Sequence, residues 1–364
     1  MRHTLLTRLA IFVALFSFTG ANAQEERLYM DEAVLTPGDT EPMLLTIGIE
    51  NCAHEDYTAF QFNIELPEGL ELAYDKRGRA RVATNTGDES LLDDHTIATK
   101  IDGNLIKLRC YSSNNYTLWG TTGALIDIYV VPTAYLKPGD VTIRLHEVLF
   151  ARANATAGYE ADLLELTGAT AEASSTLDLK VSAASKFSTA ILPFDVADIP
   201  EGLEAYSCSS TNGENLVLEK QQSMTAYTPY ILYAANGFDG TLSGNVDASK
   251  YPAAGTVTEG YLTGTVTTQS IGSGNGHYVM QNKGDGPMFY RIDDAEFAIP
   301  AGKCWLTIPA GMQNAVSFRL DGTTDIGEVK GENVNVETYD LQGRKIENPT
   351  KGLYIIDGNK TIIK

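Results

Sequence analysis

The sequence predicts an all-β protein built from sandwiches, and three observations carry that expectation. Apolar and polar residues alternate with the two-residue period of half-buried strands. Gly, Pro, Asn and Asp interrupt those runs at near-regular intervals, as the turns of antiparallel sandwiches do. Long stretches of helical periodicity are hard to find. Domains of about 100–200 residues would give a chain of 364 residues two or three units. Apolar residues at 43% and 18 Tyr supply enough core material to exclude a disordered chain.

The N-terminus sets the compartment. Arg2, His3 and Arg8 form a basic region, Leu9-Ala-Ile-Phe-Val-Ala-Leu-Phe-Ser-Phe18 an apolar core, and Ala21-Asn22-Ala23 a small-residue cleavage site before Gln24. Residues 1–23 therefore read as a secretory signal peptide. As a membrane anchor the apolar stretch is too short, since a span needs roughly 20 residues. No Cys follows the cleavage site to take a lipid. The expected location is extracellular or at the cell surface, reached through the periplasm, with no transmembrane segment in the mature chain.

Strands come next. Phe60, Phe62, Ile64 and Leu66 alternate with Gln61, Asn63 and Glu65, placing four apolar side chains on one sheet face, and Pro67-Glu68-Gly69 ends the run. Ile126, Ile128 and Val130 alternate with Leu125, Asp127 and Tyr129. Val141, Ile143 and Leu145 alternate with Thr142, Arg144 and His146, after a turn at Lys137-Pro-Gly-Asp140. The small-residue stretch 168–177 has the composition of a linker or exposed loop. Beyond it, 178–320 is rich in Gly, Thr and Tyr. There Ile191-Leu192 runs into Pro193-Phe194 as a strand ended by a rigid turn, and Tyr230-Ile-Leu-Tyr233 and Tyr278-Val-Met280 read as strands. Trp305, Leu306 and Ile308 mark a late core strand. A short segment, 325–364, closes the chain.

Three resemblances follow from these residues. Pro37-Gly38-Asp39, Leu44-Leu-Thr-Ile-Gly-Ile49, Ala59-Phe-Gln-Phe-Asn-Ile-Glu-Leu66, Pro67-Glu-Gly-Leu70 and Lys137-Pro-Gly-Asp-Val-Thr-Ile143 make residues 25–167 resemble the cohesin-like jelly-roll sandwich of bacterial scaffold and surface proteins. The resemblance implies nine strands and a sheet face that binds a dockerin partner, or polysaccharide in relatives of the fold. Ser188-Thr-Ala-Ile-Leu-Pro-Phe-Asp195, Ile199-Pro-Glu-Gly-Leu-Glu-Ala-Tyr206, Tyr227-Thr-Pro-Tyr230 and the stretch from Phe297 to Leu306 resemble a second β-rich domain of exported Bacteroidota-type proteins, which implies no activity. Thr338-Tyr-Asp-Leu-Gln-Gly-Arg344, Lys351-Gly-Leu-Tyr354 and Lys360-Thr-Ile-Ile-Lys364 resemble the C-terminal sorting domain of type IX secretion cargo. That implies a small β-sandwich with Gly343 and Gly358 at turns, and secretion machinery as a partner.

Charge supports the division. The chain carries −20, yet acids and bases nearly balance from Asp325 onward. A surface so acidic excludes nucleic acid as a partner, because phosphate binding needs a basic patch and none stands out.

Catalytic and cofactor signals are weak. His54, His95, His146 and His277 show no metalloprotease spacing, and there is no nucleophile-elbow motif. Gly272-Ser-Gly-Asn-Gly-His277 puts its third glycine one position early for a dinucleotide loop and reads as a hairpin loop. Asp88, Glu89, Asp93, Asp94 and His95 supply oxygen ligands that suit calcium, but without a Gly-turned spacing they read as a solvated acidic loop. Neither a metal site nor any cofactor is expected. Cys52, Cys110, Cys208 and Cys304 allow three complete pairings. The domain division favours Cys52 with Cys110 and Cys208 with Cys304, and the alternative is four separate buried thiols.

The remaining functional signal is aromatic. Tyr111, Tyr116 and Trp119 lie in the polar stretch Tyr111-Ser-Ser-Asn-Asn-Tyr-Thr-Leu-Trp119. Exposed, such rings stack on sugars or anchor protein interfaces. Folded back, Tyr116 and Trp119 belong to the sandwich core. The preferred function is a non-catalytic binding protein for a protein or glycan ligand, with Tyr111, Tyr116 and Trp119 as the contact residues. The rival is a secreted hydrolase acting on polysaccharide or peptide through dispersed acids. A deep cleft with facing carboxylates would favour the hydrolase, and a flat sheet face with exposed aromatics would favour binding.

Overall fold

The computed structural model describes residues 26–52, 56–154, 156–212, 215–273, 276–283, 286–292, 296–309, 317–320, 338–339, 352–356 and 359–363. The stretch 1–23 expected to be a signal peptide, His54, Gly343 and Gly358 lie outside them. The described chain is all-β. Its single helical turn, Ala248–Lys250, is a 3-10 turn capped by the Asp247 carboxylate on the Ser249 amide.

The first unit has eleven strands: β1 (Arg27–Met30), β2 (Ala33–Leu35), β3 (Met43–Glu50), β4 (Tyr57–Glu65), β5 (Leu70–Leu72), β6 (Val82–Thr84), β7 (His95–Asp102), β8 (Leu105–Ser112), β9 (Gly123–Pro132), β10 (Gly139–Arg152) and β11 (Ala157–Ala171). One sheet runs β1-β3-β9-β5, with β6 also on β9; the other runs β2-β11-β10-β4-β8-β7. Their inner faces make one core. Phe60, Phe62 and Ile64 from β4 meet Leu45, Ile47 and Ile49 from β3, Ile126, Ile128 and Val130 from β9, and Val141, Ile143 and Leu145 from β10. The Phe60 ring lies 5.1 Å from Phe150 and 5.6 Å from Phe62. A two-residue period thus places every expected apolar residue inward. Leu125 was expected on the opposite face from Ile126, yet it is fully buried. It is the extra residue between the pairs Ile47↔Ile126 and Gly48↔Ala124, and such a bulge breaks the alternation.

The stretch 168–177 differs from the linker or exposed loop expected of it. Its first residues complete β11, and Ser174–Val181 forms β12. The small side chains there serve close packing. β2 lies parallel to the end of β11, pairing Ala33 with Ala169, and a Cβ on Gly168 would sit 2.4 Å from the Met30 carbonyl oxygen.

β12 opens the second unit, with β13 (Phe187–Ile191), β14 (Glu204–Asn212), β15 (Asn215–Gln221), β16 (Pro229–Tyr233), β17 (Phe238–Asn245), β18 (Thr256–Glu259), β19 (Leu262–Thr265), β20 (Gln269–Ile271), β21 (His277–Asn282), β22 (Pro287–Arg291), β23 (Phe297–Ile299), β24 (Cys304–Thr307) and β25 (Ser317–Arg319). Ten of these form one sheet, β13-β16-β14-β15-β25-β22-β21-β24-β19-β18, flanked by the pairs β12-β17 and β20-β23. The hairpin loop expected at 272–277 instead joins two sheets, because β20 pairs with β23 while β21 pairs with β22 and β24. Gly274 and Asn275 lie outside the described residues. In the tail, β26 (Thr338–Tyr339), β27 (Gly352–Ile356) and β28 (Asn359–Ile363) form an antiparallel meander.

No disulfide joins the four cysteines, which are buried thiols, the alternative to the favoured pairing of Cys52 with Cys110 and Cys208 with Cys304. Burial pushes the Cys110, Cys208 and Cys304 thiols up to about 12, so they act as small apolar residues.

The two units are joined by more than their shared chain. After β9, Ala134 and Tyr135 leave the first sandwich and are buried in the core of the second. The Tyr135 hydroxyl donates to the Ile191 carbonyl at 2.9 Å, and its own carbonyl accepts from the Tyr251 hydroxyl at 3.1 Å. Ser175 Oγ donates to the Ala134 carbonyl at 3.0 Å. Gly302, with φ of 82°, is where the Tyr135 ring passes; a Cβ there would lie 2.3 Å from its hydroxyl oxygen. Replacing Tyr135 with Ala is expected to cost about 3–5 kcal/mol, the scale for emptying a large core site. It should also split one unfolding transition into two. Tyr135→Phe, which loses one hydrogen bond, should cost about 1 kcal/mol and leave a single transition. Calorimetry of both variants checks this, and an unchanged midpoint for Tyr135→Ala would count against the wedge.

Candidate functional site

β8 alternates strictly. Ile106, Leu108 and Cys110 enter the core, so Lys107, Arg109 and Tyr111 point outward. The registers extend this file across the sheet. Tyr111 lies opposite Thr96 and Ala59, Arg109 opposite Ala98 and Gln61, and Lys107 opposite Lys100 and Asn63. Asn63 in turn faces His146 on β10. Of these, Gln61, Asn63, Ala98, Lys100, Lys107, Arg109 and His146 line one open hollow over β10-β4-β8-β7, and Tyr111 continues the β8 file outside that lining.

Polar contacts fix one side of it. His146 Nε2 sits 2.7 Å from a Glu65 carboxylate oxygen, and the Asn63 amide donates to Glu147 at 2.8 Å. Glu147 takes φ of 53° where β10 shifts register, which turns its carboxylate onto Asn63. The other side is basic. Lys100 and Lys107 are directly opposed across β7 and β8, an arrangement that destabilises a sheet by itself. Arg109 stands two residues along β8. The nearest carboxylate to the Lys107 amine is Asp102, at 4.0 Å.

Beyond Tyr111 the chain enters the loop that holds the other two aromatics. Ser112 Oγ accepts from the Asn114 amide at 3.2 Å and the Tyr116 amide at 3.0 Å, and Asn115 takes a left-handed φ of 59°. Leu118 is buried, and its amide donates to the Tyr57 carbonyl at 2.9 Å; the Trp119 amide donates to the Leu91 carbonyl at 2.8 Å. With Leu118 anchored inward, Trp119 turns outward and is 70% exposed, while Tyr116 and Tyr111 are 48% and 47% exposed. Of the two readings the sequence left open for Tyr116 and Trp119, the structure shows the exposed one.

The acidic stretch Asp88–His95 does not converge. Asp94 accepts from the Asn114 side-chain amide. Glu89 instead acts on the other sheet, where with Asp127 it adds to burial in raising the Asp31 carboxyl. Among the described residues no three His, Cys, Asp or Glu side chains gather to hold a metal ion. His95, which starts β7, is buried. Burial lowers its pKa below the usual histidine value, against the opposing pull of Asp93 and Asp94. The unfolded histidine takes up a proton near pH 6.5 while the folded one resists it. Stability is therefore full above that pH and declines as pH falls below it. Urea unfolding at pH 7 and pH 5 is expected to show this loss, and His95→Leu should flatten it. An identical pH dependence in the variant would show that His95 contributes nothing.

The sequence reading missed the basic row and the His146–Glu65 pair. The alternation of Lys107, Arg109 and Tyr111 was its signal, but the neighbours of β8 were needed to place it on an open face.

No family model matches the chain, and no curated protein does. Among solved structures it is similar to a non-cellulosomal cohesin from Archaeoglobus fulgidus, at 15% identity over 40% of this chain and 91% of that one, with a TM-score of 0.31. It is similar also to a type III cohesin module from the cell-surface anchoring scaffoldin of Ruminococcus flavefaciens, at 18% identity over 40% and 88%, TM-score 0.29. A third is a type I cohesin–dockerin complex from Clostridium thermocellum, at 12% identity over 40% and 98%, TM-score 0.32.

Proposed function

We propose that this is a non-catalytic secreted or cell-surface binding protein. Its first sandwich carries the ligand face, and its C-terminal segment is the export address. The observation that carries the reading is the outward file Lys107, Arg109 and Tyr111, continued by exposed Tyr116 and Trp119 in the loop that β8 enters. Large rings left in water on a well-packed sandwich are the raw material of binding hot spots. The spread of the face over four strands and on to the exposed rings beyond β8 favours a macromolecule, protein or glycan. Its cations favour an acidic ligand. A dockerin-like partner suits this reading, since the Clostridium thermocellum neighbour is a cohesin–dockerin complex.

Trp119→Ala is expected to leave stability within about 0.5 kcal/mol of wild type while weakening ligand binding by about 2 kcal/mol or more. Affinity electrophoresis in polygalacturonate, xylan and soluble cellulose derivatives tests the glycan arm. A photocrosslinking residue at position 119 in the producing cells, with position 44 on the opposite sheet as control, tests the protein arm. Equal behaviour of wild type and Trp119→Ala in both arms would overturn the reading. So would release of sugars or peptides from these polymers or casein, which would point to the hydrolase.

The export address has its own test. Deleting residues 325–364 should leave the protein in the periplasm with its signal peptide still removed. Normal levels of the truncated protein at the surface or in the medium would eliminate the sorting role.

A further inference from the structure

The ten-stranded sheet of the second unit comes back on itself at a seam. β13 stands first in the strand order and β24 stands near its far end, yet the two touch. Thr189 Oγ1 accepts from the Cys304 amide at 3.0 Å and lies 3.3 Å from the Cys304 carbonyl, and the Ile191 amide donates to the Gly302 carbonyl at 3.2 Å. A side-chain hydroxyl thus does here what a backbone ladder does elsewhere in the sheet. Beside this bridge opens a groove of about 310 Å³, walled by apolar side chains that include Phe187, Val279, Met280, Phe297 and Ile299.

One cation lines it. Lys303 Nζ makes two long contacts, 3.3 Å to Ser188 Oγ and 3.5 Å to the Thr189 carbonyl, both neutral oxygens. An ammonium has three donors and a full charge, and among the described residues no carboxylate lies within ion-pair distance of this one. Burial lowers the Lys303 pKa below the ordinary lysine value, which is the sign of a charge paying for its desolvation without an ion pair. A mostly apolar groove with a few polar groups, here Lys303 with Ser185, Gln281 and Asn282, is the usual form of a small-molecule site.

We propose that this groove binds a small amphiphilic monocarboxylate, with its carboxylate on Lys303 and its hydrocarbon body against Phe187, Phe297 and Ile299. The carboxylate gives the amine its missing counter-charge. The hydrocarbon gains by leaving water along the walls. The site lies in the second unit and is independent of the face on β8.

Decanoate is the probe, with decanol as its neutral counterpart, titrated into the full chain by calorimetry. Decanoate should bind wild type at least tenfold more tightly than decanol, and Lys303→Met should remove that preference while leaving decanol affinity unchanged. Lys303→Arg, which keeps the charge, should retain most of the preference and guards against a folding defect in the methionine variant. On protein with 13C-dimethylated lysines, decanoate should shift the resonance that is missing from Lys303→Arg. Decanoate binding that is absent, or equal to decanol in wild type and Lys303→Met, overturns the proposal. So does a tenfold or greater rise in decanoate affinity on Asp293→Asn with Asp294→Asn, because those acids, outside the described residues, would then already hold the amine.

Discussion

The first sandwich depends on β4. This strand lies between β10 and β8, and its alternate residues Phe60, Phe62 and Ile64 lock the inner face against the opposite sheet. The aromatic contacts of Phe60 with Phe62 and Phe150 make any slip of register expensive, since a one-residue shift would move every one of these side chains into water. The outward face is fixed by the same constraint. Gln61, Asn63 and Glu65 can only face solvent, and β8, paired residue for residue with β4, must then present Lys107, Arg109 and Tyr111 beside them. The proposed binding face is thus the reverse side of the core, set by the pairing that buries Phe60 and Phe62.

How much of this was legible in the sequence depends on the range of the deciding contact. β4 and β10 could be read directly, because a strand covered on one face writes its burial into every second residue. β9 could be read except at Leu125, where the register shift is a property of the pair and not of the strand. The stretch 168–177 misled because small side chains have two physical meanings, freedom in a linker and close approach in a packed sheet, and composition alone does not separate them. Tyr116 and Trp119 were recognisable as a candidate site but not as exposed. Their orientation is decided by Leu118 reaching Tyr57, a contact between residues far apart in sequence.

Tyr135 shows the same limitation in sharper form. It sits in the connector before Lys137-Pro138-Gly139, where nothing local marks it as part of another domain's core. Its ring nonetheless crosses to the second unit and is held there at both its hydroxyl and its backbone carbonyl. One consequence is mechanical. A ligand pulling on the proposed face over β8 would load a sandwich whose junction to the second unit is a buried, hydrogen-bonded aromatic, supplemented by Thr176 donating its amide to the Pro37 carbonyl at 3.1 Å.

Electrostatics separates the two proposed sites. Both rest on cations without good partners in a chain of net charge −20, but water treats them differently. Lys100, Lys107 and Arg109 are exposed, and at a separation of 4 Å a charge pair in water is worth about 1 kcal/mol, less once salt screens it. Such cations would orient and attract an acidic macromolecule more than hold it, so on the proposed reading tight binding would come from the area that Tyr111, Tyr116 and Trp119 bury against the ligand. Lys303 sits among apolar walls where the dielectric is lower and an unmatched charge is costly. There a single counter-charge is worth more, and a ligand small enough to enter the groove can owe much of its affinity to one contact.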